Sequence, residues 1–329
     1  MQPKALVLMY HRVAESDIDT WDLAVSPRHF ELHLRVLHQA GTIMAAAELA
    51  ERLRTGTLKR RSIAITFDDG YPDNYSVASP LLTRYGLPAT FFIISGNVGL
   101  AQEFWSDELA GIILLAERLP AALALTLPGA AGHLAADLPS EQQLTPALRQ
   151  QHQRWRATEA APPTRRAALF YELWQRLQPL PAPAQQLVLG QLRAWAGLPA
   201  TVRPAHQSMS LSQLQELSTN PLFTIGAHTA THPALAYHPA AVQVHEMATS
   251  RQALQEAIGQ PVDLLAYPYG SCNSDTLAIA AQLGFKAAFT TEAQSLTPRS
   301  ALHSIGRFQV NNWDGDEFKR HLTRWLRDS

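Results

Sequence analysis

This sequence has little with which to staple or anchor itself. Of its 329 residues only Cys272 is a cysteine, so no disulfide can form within the chain, and such usage fits a reducing compartment. No window is long and apolar enough to span a bilayer. The apolar run Ala5–Tyr10 is too short for the core of a signal peptide, meets His11 and Arg12 at once and lacks a small-residue cleavage site. A cytoplasmic location is therefore expected. An excess of one charge is also missing: 27 Lys and Arg face 28 Asp and Glu, for a formal charge of -1. That excludes a generally basic surface for nucleic acid or anionic lipid. The one dense basic run, Lys59-Arg60-Arg61, precedes a strand pattern and reads as a solvated loop. No Gly-rich phosphate loop follows the first strand pattern, which argues against a nucleotide cofactor.

What is present is material for a core. Hydrophobic residues make up 46% of the chain and charged residues 17%, so wholesale disorder is excluded. Short apolar runs alternate with helical patterns, the rhythm of a βα-repeating fold. Strands are expected at Ala5–Tyr10, Thr42–Met44, Ile63–Phe67, Ala89–Ile94, Phe223–Ala227, Val262–Tyr267, Ala287–Thr291 and Ser304–Val310. Helices are expected between them, such as Pro27–Ala40 with Ser26 as N-cap and Pro27 at the first helical position. The rhythm breaks from about 100 to 205. That stretch is rich in Ala, Leu, Gln and Arg, with helical patterns at Arg165–Leu177 and Ala184–Ala196 and one possible strand at Leu123–Leu127. The expectation is a single α/β domain over 1–329, a distorted (β/α) barrel of seven or eight strands carrying a mainly helical insertion.

In such barrels reactive side chains collect at the C-terminal ends of strands. Four strand ends here carry polar groups: His11, the pair Asp68-Asp69, the pair His228 and His232, and Tyr267-Pro268-Tyr269-Gly270. Each pair also has a plain reading. His-x-x-x-His occurs on helix surfaces, and two carboxylates before a glycine suit a turn or cap. Taken together, however, carboxylates and imidazoles at strand ends make the ligand set of a metal site with an open position. Adjacent side chains in a strand diverge, so the two aspartates should have different jobs, one binding metal and one accepting a proton from water.

Thr66-Phe67-Asp68-Asp69-Gly70, His228-Thr229-Ala230-Thr231-His232 and Ala266-Tyr267-Pro268-Tyr269-Gly270 resemble three signature motifs of the polysaccharide deacetylase family, carbohydrate esterase family 4. Met9-Tyr10-His11-Arg12-Val13 and Gly86–Phe92 are similar to it as well. The resemblance implies metal-dependent removal of an N-acetyl group from an acetylated sugar, glycan, or lipid- or nucleotide-linked saccharide. It implies Asp68 as general base, with Asp69, His228 and His232 as metal ligands. The Tyr269 backbone N–H would face the oxyanion. The donor set suits Zn2+, and Co2+, Ni2+ or Fe2+ would also be accepted.

Two features depart from the pattern. Ala266 stands where many members carry an arginine that tunes the base, and Leu302-His303 precedes the last strand instead of ending it. His11, at the end of the first strand, is therefore the expected general acid. Arg307 is expected at the pocket floor in place of the missing arginine and is grouped with Tyr71 and Trp105 as substrate-binding. Asp73 is expected to cap a helix or touch the site. Two other functions stay open on sequence: hydrolysis of another amide or an O-acetyl ester, and a carbohydrate-binding relative with an inactive site.

Overall fold

The computed structural model of the chain describes residues 4–129 and 132–328. Its β-rich runs become strands where Gly, Pro or polar residues bound them. In the first third these are β1 (Ala5–Tyr10), β2 (Arg12–Val13), β3 (Ala24–Val25), β4 (Thr42–Ile43), β5 (Ser62–Phe67) and β6 (Ala89–Ile93). Then come β7 (Ala122–Thr126) and β8 (His133–Asp137), an antiparallel hairpin. The last four are β9 (Phe223–Ala227), β10 (Leu264–Ala266), β11 (Ala287–Phe289) and β12 (Phe308–Gln309).

Seven strands lie in the order β11-β10-β9-β6-β5-β1-β12, and β4 pairs beside β5. Every pairing in this sheet is parallel. The segment before β12 also bridges to β11, at Phe289 and Ile305, while β12 itself pairs with β1 at Leu8 and Phe308. One stretch of chain thus joins the two edges of a curled sheet, a distorted (β/α) barrel. β1 and β5 are buried along their whole length, as expected for parallel strands covered on both faces. Tyr10, Phe67 and Phe91 stack in succession across neighbouring strands, with ring centroids 5.3 and 5.0 Å apart. Each such fully buried side chain contributes about 1.5–3 kcal/mol.

The helix Pro27–Ala40 starts as its sequence dictates. The Ser26 hydroxyl accepts from the His29 N–H, and Phe30, His33, Leu34 and Leu37 form the buried stripe. The helix Ser79–Tyr85 ends at Gly86 with φ 62°, a left-handed cap that glycine adopts without a Cβ penalty.

By its contacts the chain divides into two compact units. The first comprises 1–15, 23–100 and 208–329 and holds the barrel sheet. The second comprises 16–22 and 101–207 and holds the β7–β8 hairpin and four helices, at Trp105–Ala110, Pro146–Arg154, Arg165–Leu177 and Ala182–Ala196. Its core is knit by Arg166, fully buried, which donates to the carbonyls of Ala116, Glu141 and Gln142. No helix among the described residues is long and apolar enough to cross a membrane.

Candidate metal centre and active site

β5 runs apolar to Phe67 and then delivers Asp68 and Asp69. The divergence expected of adjacent strand residues does not occur, because Asp69 leaves the strand conformation with φ 74°. Both carboxylates therefore face the same pocket. β9, paired with β6 over its whole length, delivers His228. The chain then turns, with Thr229 at φ 62° and His232 at φ 64°, and brings the second imidazole back beside the first. β10 leads to Tyr269, at φ 58°. Among the described residues only Asp22 and Arg61 share such positive φ without being glycine or belonging to this site. A left-handed non-glycine residue is strained and persists only where its surroundings over-determine it.

Asp69, His228 and His232 converge. Asp69 Oδ1 lies 3.4 Å from His228 Nε2 and 3.3 Å from His232 Nε2, and the two Nε2 atoms are 3.2 Å apart. For metal–ligand distances of about 2.0–2.1 Å, the edge of a coordination tetrahedron is about 3.3 Å. The triangle is thus one face of a tetrahedron, with the fourth corner left over. The outer ring nitrogens are already engaged. His228 Nδ1 donates to the Ala266 carbonyl at 2.8 Å, and His232 Nδ1 lies 3.0 Å from the Tyr269 hydroxyl. The Ala266 carbonyl fixes the His228 tautomer so that its Nε2 lone pair faces the common point, and with the Tyr269 hydroxyl as acceptor the His232 Nε2 lone pair does the same. Three donors so arranged could hold a cation between them, and two imidazoles with one carboxylate are a donor set that suits a zinc-type ion.

Asp68 sits behind this triangle, with Oδ2 3.9 Å from His228 Nε2. It is 2% exposed and is gripped by Arg307, itself fully buried, through two bonds of 2.7 Å. Arg307 also donates to the Thr290 carbonyl at 2.9 Å and to Thr66 Oγ1 at 3.2 Å. Its position follows from the strand switch. Gly306 and Arg307 lie where the chain passes from pairing with β11 to pairing with β1, and a Cβ on Gly306 would come within 2.7 Å of the Glu292 carbonyl. Arg307 therefore fills the place expected for it on the pocket floor, but it holds the aspartate and not substrate.

The electrostatics follow from burial and neighbours. Burial opposes ionisation of Asp68, yet Arg307 and His228 outweigh it and hold the carboxyl below its ordinary range. Burial opposes ionisation of Asp69 as well, and the two imidazoles reverse it strongly. For His228, burial is overcome by Asp68 and Asp69, and its pKa rises. For His232, burial prevails, helped by the neighbouring His228 charge, and its pKa falls to about 3. His11 is half-buried and near enough for its charge to favour the ionised forms of both aspartates. Its backbone is held in place, since Asn74 Nδ2 donates to the His11 carbonyl at 2.7 Å.

Several expected residues are placed otherwise. Tyr71 is 2% exposed beneath the Arg12 guanidinium, 4.6 Å from its ring centroid, and offers no face to a sugar. Trp105 is buried within the second unit, stacked on Trp174 at 6.1 Å, and is a packing residue. Asp73 makes no cap bond; it accepts from Arg12 Nε at 3.1 Å and from the Val13 N–H at 2.8 Å, fastening the segment after His11. His303 Nε2 donates to the Phe285 carbonyl, before the start of β11, and so is turned toward the opposite end of the sheet.

The model of the polysaccharide deacetylase family matches residues 55–111 and 194–288, which include Asp68, Asp69, His228, His232 and Tyr269. Over these two segments, 152 of its 329 residues, the chain is similar to the polysaccharide deacetylase family. It is 37% identical over 108 residues to YxkH of Bacillus subtilis (strain 168), a protein named for polysaccharide deacetylation; the match covers 32% of this chain and 37% of that one. It is 33% identical over 109 residues to the poly-β-1,6-N-acetyl-D-glucosamine N-deacetylase of Staphylococcus aureus (strain N315), covering 29% and 37%. The stretch matched in these curated relatives thus spans little more than a third of their length. Among solved structures, the Streptococcus pyogenes deacetylase PplD in complex with acetate superposes with a TM-score of 0.59 at 19% identity, covering 98% of this chain and 99% of that one. IcaB from Ammonifex degensii gives 0.59 at 20%, covering 98% and 97%. At such identities the likeness is one of fold. His11 and Arg307 lie outside the family match, so their assignment rests on geometry alone.

Proposed function

We propose that this protein hydrolyses the N-acetyl group of an acetylated amino sugar within a glycan, releasing acetate and a free amine, and that it does so with a divalent cation. The observation that carries this reading is the triangle of Asp69 Oδ1, His228 Nε2 and His232 Nε2 with the locked Asp68 carboxylate behind it. The S. aureus relative's name, which specifies N-deacetylation of a glucosamine polymer, supports the substrate class.

Asp69, His228 and His232 would hold the cation, which when bound supplies Lewis acidity toward an acetyl carbonyl and acidifies water to a pKa of about 7. The chain's own groups do the rest. Asp68 is kept ionised by Arg307 and accepts the proton of the attacking water. Its two oxygens each retain a lone pair beyond the Arg307 bonds. Amide hydrolysis also needs a proton on the departing nitrogen, because an amide anion is too poor a leaving group. His11, half-buried on the same rim, supplies it in this reading. The backbone at Tyr269, held left-handed beside His232, faces the oxyanion.

The test is direct. Purified protein is stripped of metal, reloaded with Zn2+, Co2+ or Ni2+, and offered β-1,6- and β-1,4-linked N-acetylglucosamine oligomers and an O-acetylated sugar. Acetate release from an N-acetylated oligomer that needs added metal and disappears in Asp69→Asn supports the reading. A folded, metal-loaded protein that releases acetate only from the ester, or from none of these, overturns it.

A further inference from the structure

The turn that carries both imidazoles is strained, and several bonds hold its backbone. On the carbonyl side, Thr229 accepts from the Ser95 N–H at 3.2 Å and Ala230 from the Gly96 N–H at 2.9 Å. Gly96 is required there, because a Cβ would sit 2.5 Å from the Ala230 carbonyl oxygen. Inside the turn, Thr229 Oγ1 accepts from the His232 N–H at 3.0 Å. Two further N–H groups, of Ala230 and Thr231, both point at a single acceptor, Glu246 Oε2, at 2.9 and 2.8 Å. Glu246 Oε1 accepts the Thr231 hydroxyl at 2.7 Å.

Glu246 lies in the helix Ala240–Ile258 and is only 7% exposed. Burying a carboxylate is costly unless donors surround it. Among the described residues no Arg or Lys salt bridge involves it, and the hydrogen bonds its carboxylate accepts all come from this one turn. We propose that Glu246 is a positioning residue that holds the His228–His232 turn in its left-handed, ligand-presenting form. This rests on the metal-binding reading of Asp69, His228 and His232. Without Glu246, the N–H of buried Ala230 and that of the more exposed Thr231 lose their shared acceptor, and relaxing Thr229 and His232 from positive φ swings the His232 ring away from Asp69.

What matters in this role is reach, not charge. Gln has the length of Glu. Its carbonyl oxygen can accept both N–H groups, and its NH2 can donate to the Thr231 hydroxyl. Asp keeps the charge but withdraws the acceptors by one methylene. The experiment titrates full-length wild type, Glu246→Gln, Glu246→Asp and His232→Ala with zinc alone, against a chromophoric chelator, with thermal melts of each metal-free protein. Loss of a partner to a metal-binding His costs about 10–100-fold in affinity. Expected are affinity within about threefold of wild type for Gln and a loss of about 10–100-fold for Asp, at metal-free melting temperatures close to one another. Asp retaining affinity while Gln loses it would overturn the proposal in favour of a charge effect, and equal affinity in all but His232→Ala would overturn it outright. Wild type and His232→Ala binding zinc alike would instead sink the metal site itself. Should Asp prevent folding, a Thr231→Val variant removes only the third bond and must weaken zinc by a smaller factor for the proposal to stand.

Discussion

Replacing Arg307 tests how Asp68, the proposed base, is kept ionised. Arg307 is fully buried, Asp68 is 2% exposed, and the two share a pair of 2.7 Å bonds. Of the influences on Asp68, burial is the largest and pushes its pKa up; Arg307 leads those that bring it below the ordinary value. In Arg307→Met the burial stays and the guanidinium goes. Losing a close opposite charge is worth about 1–3 pKa units, so the carboxyl rises above its ordinary value and the acidic limb of kcat/KM moves to higher pH by about that much. With the base both less ionised and free to rotate, the rate at pH 7 should fall by about 10²–10³, within the range assigned to a general base.

Stability bounds the same effect. Leaving one member of a buried pair uncompensated costs about 3–5 kcal/mol, but protonation caps the loss. Holding a carboxyl of ordinary pKa near 3.9 in its neutral form at pH 7 costs about 4 kcal/mol. The sign reverses between the two proteins. In wild type the lowered pKa of Asp68 contributes stability that is present above the unfolded value and is lost as pH falls through the folded one. In the variant a raised pKa destabilises at neutral pH and is relieved by acid, so the stability gap to wild type should narrow from pH 7 toward pH 4. Arg307→Lys, which keeps charge but not the fork, should move the limb less. The assays are acetate release against pH with metal-loaded protein, and urea denaturation at several pH values. A folded Arg307→Met enzyme whose acidic limb is unmoved, with kcat/KM within about threefold of wild type, would refute the reasoning.

Other expectations follow from single contacts. His11→Ala should lower kcat by about 10²–10⁴, whereas turnover within a few-fold of wild type would take the acid role from it. His33 is buried with both nitrogens engaged, one 2.8 Å from the Trp313 carbonyl and the other 3.3 Å from the Tyr10 hydroxyl, and burial lowers its pKa from 6.5 to about 4. The unfolded chain then takes up this proton at higher pH than the folded one. Stability should fall as pH drops from about 6.5 to about 4, by about 3 kcal/mol in all, and denaturation of His33→Gln should show that component missing. A Cβ on Gly226 would lie 2.4 Å from the buried Phe92 ring; Gly226→Ala should cost at least about 1–3 kcal/mol, read as a lower melting temperature.

How much of this was legible depends on what kind of signal each part left. Strands such as Phe223–Ala227 were readable to the residue because their apolar runs are bounded by polar or turn residues. The helix Arg165–Leu177 was equally plain, with a wide apolar stripe. The helix Pro146–Arg154 was not, although Thr145 caps it and Pro146 opens it; of its residues only Leu148 and His152 are buried, too few to make a periodic stripe. Ser304–Val310, expected as one strand, is split because the chain changes partners at Gly306 and Arg307. Tyr71 and Trp105 were misplaced for a common reason. An aromatic near a motif looks the same in sequence whether its face is open or covered, and here Arg12 covers one and Trp174 the other.

The site itself shows where periodic reasoning stops. Strand alternation says that Asp68 and Asp69 should diverge, and helix periodicity says that His228 and His232 should share a face only on a helical turn. Neither regularity applies, because Asp69, Thr229 and His232 are left-handed. Such a conformation costs of order 1–3 kcal/mol per residue, and at the β-branched Thr229 it runs against local preference. It is imposed from a distance: Ser95, Gly96 and Glu246 hold the histidine turn, and the Ala266 carbonyl and Tyr269 hydroxyl aim its rings. Sequence motifs therefore indicated which residues meet. The distances of 3.2–3.4 Å among their donor atoms arise from partners far away in the chain. A chain with the same motif letters but without those partners would keep the ligands and lose the geometry.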